Sequence, residues 1–283
     1  MYNIRYHIAS LVAVFLALAM GLVLGGLVVR QGAFDTQQRA LVTSLQSEFN
    51  KLKKENAALK SELGLEESYA SQMTDAWAAG RLSGQTVLVL TSGGKNEGVD
   101  SAAAAVKSAG GRTAIVTILK PGLGLSAPAV AAAAASVLGT SSGSPNSSQV
   151  AAQLASEWNG TNSGRVLTNA MVAAGAIKIS GLGGSTVATQ LVDVAASGKS
   201  PESVGLDVAQ AYKTAGMIAL AAQPYGTETG VAAAGAARSL SAFDTLGTQA
   251  GRFTLVALFS GGQQGYYSAS GHATTAFPPV PKP

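Results

Sequence analysis

Few side chains in this chain of 283 residues could do chemistry. There are two histidines, His7 and His272, and no cysteine. Without a thiol, disulfides, iron–sulfur clusters and thiolate metal sites are excluded. The histidines form no H-x-x-H or H-E-x-x-H pair and the carboxylates are sparse. Met1, Met20, Met73, Met171 and Met217 are scattered, without the thioether cluster that holds Cu(I). The spacing predicts no metal site within one chain, and leaves open one shared between subunits. Ser268 and Ser270 lie beside His272, but a nucleophilic serine needs a base, held in turn by an orienting group. No G-x-S-x-G elbow is present and no acidic orienting residue is expected nearby, so this stretch reads as a plain C-terminal loop. No catalytic residue and no cofactor is predicted.

Two glycine-rich stretches are candidate phosphate cradles, because ligands of open α/β sheets bind beyond the carboxyl ends of the strands. Thr91–Asn96 (TSGGKN) lacks the first glycine of a P-loop and has Asn96 after Lys95 where serine or threonine belongs. Gly181-Leu182-Gly183-Gly184 has Thr186 where a dinucleotide fingerprint needs its last glycine. Both read as structural turns. The net charge is +4 with only 12% charged residues, and no basic run interleaves with aromatics, so nucleic acid is not an expected partner.

The elements that position these residues begin with a membrane-length helix. Ile8–Val29 carries no charged residue, and at about 1.5 Å per residue it matches the ~30 Å hydrocarbon core of a bilayer. It outruns a signal-peptide core, and no small-residue cleavage pattern follows Val28-Val29-Arg30, so it reads as an uncleaved anchor. Arg5 lies on one side and Arg30 and Arg39 on the other, which barely discriminates orientation. A short tail ahead of a long C-terminal domain places residues 1–7 in the cytoplasm and the domain outside the plasma membrane. Ala9, Ala13, Ala17, Gly21 and Gly25 recur every fourth residue, a spacing that lets two helix backbones approach closely in lipid.

Residues 34–80 read as a helical stalk. With Val42 at heptad position a, Phe49, Asn56 and Leu63 follow at a, and Leu45, Leu52 and Leu59 fall at d. Position g holds Glu48, Glu55 and Glu62, and e holds Lys53 and Lys60. In a parallel dimer Glu48 faces Lys53 and Glu55 faces Lys60 of the partner, and the polar Asn56 at a favours a two-stranded parallel register. The alternative is a single amphipathic helix packed back on its own domain. Leu65, Tyr69, Met73 and Trp77 continue the stripe to a helix end near Gly80.

Residues 82–273 carry an α/β pattern. Gln85–Leu90, a helix over Gly98–Ala109 and Thr113–Leu119 predict a βαβ unit and so a parallel sheet. Further helices are predicted over Ala127–Leu138, Gln149–Trp158, Arg165–Ala174 and Val204–Ala215. Strands are predicted at Ala176–Ile179, Thr186–Val194, Met217–Ala221 and Phe253–Phe259. Gly139–Ser148 reads as a loop by composition. The expected fold is an N-terminal transmembrane helix and parallel coiled-coil stalk, followed by a Rossmann-like, mostly parallel-sheet domain. Residues 274–283 form a Pro-rich tail whose Phe277–Pro283 suits neither helix nor sheet.

Asn3–Leu27 (NIRYHIASLVAVFLALAMGLVLGGL) resembles the opening of the actinobacterial MctB-type copper transport family, also called SteB. The resemblance extends through the stalk to Ser239–Asp244, Gly251-Arg252, Phe253–Phe259 and Gly265-Tyr266-Tyr267. The chain departs from it at Tyr267-Ser268, where the family tends to have Tyr-Gly. The resemblance implies copper efflux or homeostasis in the cell envelope. For SteB-like members it implies instead a divisome scaffold that works with a cytoplasmic SteA-like partner and an extracytoplasmic peptidoglycan hydrolase. One span and a lack of soft ligands favour the scaffold physically, whereas the family's name favours copper.

Overall fold

The computed structural model describes residues 4–30, 33–92, 97–140, 145–162, 164–181, 187–194, 203–227, 230–271, 273 and 275–281. The chain divides into two compact units, Met1–Glu66 and Glu67–Pro283.

Among its described residues the first unit is entirely helical. Helix α1 (Ile4–Arg30) contains an apolar stretch, Ile4–Leu27, long enough to cross a membrane. Helix α2 (Ala33–Ala78) begins in this unit and ends in the second. It runs through Gly64, where the clean heptad stops. It is closed by Gly80, whose φ of +77° a residue with a Cβ adopts only under strain.

The second unit is a mixed α/β domain. Among the described residues its strands are β1 (Thr86–Ser92), β2 (Arg112–Ile118), β3 (Ile177–Ser180), β4 (Gln190–Val194), β5 (Ile218–Pro224), β6 (Ser241–Leu246) and β7 (Tyr266–Tyr267). They form one sheet in the order β3-β2-β1-β4-β5-β6-β7. All neighbours are parallel except β3, which runs antiparallel to β2 at the edge. Connecting helices are α3 (Glu97–Ser108), α4 (Pro128–Leu138), α5 (Ser147–Trp158), α6 (Val166–Ala173), α7 (Ser203–Thr214), α8 (Val231–Ala237) and α9 (Gln249–Phe259).

The alternation of side chains along a strand sorts the core into two layers. Val87 and Val89 of β1 join Val192, Leu220 and Phe243 on the face covered by α3 and α9. Leu88 and Leu90 join Val116, Leu191 and Ala221 on the face covered by α4 to α8. Both faces are buried, which is why β1 reads as a continuous apolar run. Within the second layer the carboxylate of Glu157 caps α6, accepting from the Leu167 and Thr168 amides at 2.9 and 2.8 Å. Next to it the Trp158 indole donates to Thr168 Oγ1 at 2.9 Å.

The predicted βαβ unit is present as β1, α3 and β2, in parallel register from Thr86↔Arg112 to Ser92↔Ile118. Phe253–Phe259 is a correction. It is not a strand but the body of α9, started by Thr248, whose Oγ1 accepts from the Gly251 amide at 3.0 Å. From Thr254 to Phe259 every residue is buried, so this helix has no polar stripe, and its short apolar run has the look of a core strand. Gly251 lets α9 lie against the end of β6: a Cβ there would stand 2.1 Å from the Thr245 carbonyl oxygen. The strand of this region is instead Ser241–Leu246, which sequence reasoning passed over together with α8 and β7. The predicted strand from Thr186 begins at Gln190, with residues 182–186 outside the described residues. The Pro-rich end enters neither helix nor strand through Pro281. Its Phe277 meets Phe253 edge-on at 6.4 Å, and Pro278 is buried.

Candidate functional site

A cleft lined largely by polar side chains opens at the carboxyl ends of β5 and β6, beside β7. Three local features build it. The β5–β6 register shifts between Ala222 and Pro224, and this irregularity carries Gln223 into the wall. The turn after β5 contains Gly226 and leads to Gly230 before α8, both with positive φ. Strand β7 is held against β6 through Gln264, which accepts from Ser241 Oγ at 2.7 Å and donates to the Leu258 and Gly262 carbonyls.

At the centre is Asp244, buried in β6. Its carboxylate accepts from Ser268 Oγ at 2.5 Å, Ser270 Oγ at 2.8 Å and the Ala269 amide at 2.9 Å. Burial alone would raise its pKa. The hydrogen bonds from Ser268, Ala269 and Ser270 together outweigh that and hold the carboxyl below the ordinary value. Beside it burial, with the Asp244 charge, raises the Tyr266 phenol. Gln223, Thr227, Gly230, Ala233, Tyr266 and Ser270 complete the wall around about 410 Å³.

This arrangement corrects the reading of Ser268 and Ser270. An acidic partner is present, supplied from another strand rather than from nearby sequence, and both serine hydroxyls give their proton to it. They are clasps of the loop onto β6. Ser268, which stands where the resembling family tends to have glycine, is one of the clasps. His272 lies outside the described residues, and His7 sits in α1. Of the weighed loops, Thr91 and Ser92 end β1 while residues 93–96 lie outside the described residues, as do 182–184 and 186. Asp244, Gln223 and Tyr266 were missed because a polar residue inside a short strand looks like a break in pattern. The signal available was the buried-type run SAFDTL with a single charge at its centre.

The predicted pairing residues lie on α1 and α2. Val42, Leu45, Phe49, Leu52, Leu59 and Leu63 are each 59–69% exposed, and Asn56, Glu48, Lys53, Glu55 and Lys60 are exposed with them. Ala9, Ala13, Ala17, Gly21 and Gly25 are likewise exposed, with nothing within 4 Å of a Cβ built at either glycine. Farther along α2, the Trp77 ring meets Phe253 of α9 at 4.6 Å, tilted by 46°, and the Arg81 guanidinium lies 4.3 Å over the Trp77 ring. Arg252 pairs with Asp75 and donates to Ser108 Oγ at 3.1 Å.

Copper as cargo was tested against the donors present. Among the described residues no three of His, Cys, Asp or Glu converge as a metal-holding group. Met20, Met73 and Met171 sit on separate helices, Met171 in the core, and Met217 lies just ahead of β5. These donors do not fit Cu(I), which selects thiolate and thioether ligands.

A mostly parallel α/β domain, in a chain with one N-terminal helix long and apolar enough to cross a membrane, fits a membrane-anchored class of protein. The chain belongs to the copper transport outer membrane protein MctB family, whose model matches residues 1–278. No curated protein and no solved structure gave a significant match to the chain.

Proposed function

We propose that the protein is a non-enzymatic, single-pass component of the cell envelope that serves copper efflux or homeostasis. The observation that carries this reading is the family match over residues 1–278. In it residues 1–7 are cytoplasmic, α1 crosses the plasma membrane, and the domain lies outside. Two chains pair in parallel through the a and d residues of α2. The support is the exposed apolar row itself, which a monomer would leave in water. The domain is Rossmann-like: helices cover both faces and the order β3-β2-β1-β4-β5-β6 supports a doubly wound sheet, from which antiparallel β3 departs. The poor donor set argues for a role in an assembly rather than for a copper cage within one chain.

Copper tolerance of cells lacking the protein tests it. Growth should stop at a lower copper concentration, and the full chain should restore tolerance while a Leu45→Asp, Leu52→Asp chain should not. Unchanged tolerance in the deletion would remove the copper reading. The exposed seam also favours a second reading, a SteB-like divisome scaffold that regulates a peptidoglycan hydrolase with a cytoplasmic SteA-like partner. Proximity labelling from the native domain would then recover division hydrolases in place of copper-handling proteins.

A further inference from the structure

The hydrogen-bond polarity of the Asp244 cleft narrows what it can hold. The Ser270 hydroxyl gives its proton to Asp244 at 2.8 Å, and the Thr227 hydroxyl gives its own to the Pro224 carbonyl at 2.7 Å. The Gln223 amide donates one of its hydrogens to the Thr227 carbonyl. A hydroxyl has one proton and two lone pairs, and a carboxamide oxygen only accepts. What Ser270 and Thr227 have left for an occupant is therefore acceptors, and Gln223 Oε1 adds another, against one remaining Gln223 amide hydrogen. Asp244 contributes a full negative charge, and no cation is among the described residues of the lining.

Such a wall repels phosphates, sulfates and carboxylates and favours an occupant that brings hydrogens and positive charge. Its volume, about 410 Å³, lies within the range of roughly 300–1,000 Å³ for small-molecule sites and far exceeds a bare ion. The Tyr266 ring, Ala233 and the Gly226 and Gly230 backbone supply surface for carbon. We propose that this cleft binds a small organic cation, a primary ammonium or guanidinium on a short carbon chain. Asp244 is its counter-charge, Gln223, Thr227 and Ser270 are its acceptors, and the Tyr266 ring is the face it lies against. Its lining uses no residue of the stalk and calls for no copper.

Calorimetric titration of the full chain in detergent micelles with n-butylammonium chloride and with guanidinium-bearing agmatine tests this, with n-butanol as the neutral isostere. Saturable binding of either cation but not of the alcohol is expected. Blocked lysine amide in place of butylammonium reads whether a basic side chain serves as well as a free amine, and binding by either supports the class. Asp244→Asn should abolish binding. Because that change also frees the Ser268–Ser270 loop, Ala233→Leu, which fills the cleft without removing any of its hydrogen bonds, is the cleaner variant: about tenfold weaker binding is expected with an unchanged circular dichroism spectrum. Equal binding of n-butanol, no saturable binding of any cation, or displacement of the amine by calcium or copper(II) chloride would overturn the proposal.

Discussion

Asp244 illustrates how a single carboxylate can organise a chain end. It sits inside a buried strand, and its charge is kept tolerable by hydroxyl and amide donors from a loop more than twenty residues away. Replacing it by asparagine should lower the thermal midpoint at neutral pH, by the equivalent of about 1–3 kcal/mol for donors left without their acceptor. The acid dependence follows from the lowered pKa. The folded carboxyl titrates below its ordinary value of 3.8, so its stabilisation is present above that value and fades as pH falls through the lower folded one. Thermal melts of both chains at pH 7 and pH 3 should therefore show a gap that narrows in acid. A gap of equal size at both would mean that the charge is not what the donors hold.

At the scale of elements, the end of α2 shows which contacts matter most. The Asp75–Arg252 pair is half-exposed on the aspartate side, and such pairs contribute at most about 1 kcal/mol. Trp77, between Arg81 and Phe253, withdraws a large apolar surface from water and contributes about 2 kcal/mol on an area basis. Trp77→Ala should thus speed amide exchange over the last turns of α2 markedly, and Asp75→Asn barely. If the aspartate change loosened the helix more than the tryptophan change, the ring contact would not be the main fastening. The same junction explains a misreading. Residues 254–259 are buried on every side because α9 is wedged between the sheet, α3 and the end of α2, and a helix stretch without a wet face leaves no 3.6-residue signature.

For the whole molecule, the anchor and the stalk govern its proposed assembly. A membrane confines chains to two dimensions, so a short heptad that is marginal in solution gains from a raised local concentration of partners. Cysteine at Asn56 in a chain that has none should give a single disulfide-linked dimer upon mild oxidation in native membranes. Cysteine at exposed Lys51, off the a and d positions, should crosslink far less. A chain that stays monomeric with cysteine at Asn56 would exclude the parallel pairing.

The elements legible in the sequence are those whose information is local. Ile8–Val29 reads as membrane-length because bilayer thickness sets a number of residues, and Val42–Leu63 reads as a seam because the heptad is written in adjacent turns. The β1–α3–β2 unit was legible for the same reason: strand, turn, helix and strand follow one another without interruption. The tertiary structure alone decided the rest. It placed Ser241–Leu246 between β5 and β7, turned 253–259 into a helix, and ran β3 antiparallel at the edge. It brought Asp244 to Ser268 and Ser270, which no spacing rule connects. The physical reason is that a buried charge is tolerated only where donors converge on it, and that convergence depends on strand order and loop closure rather than on any neighbouring residue.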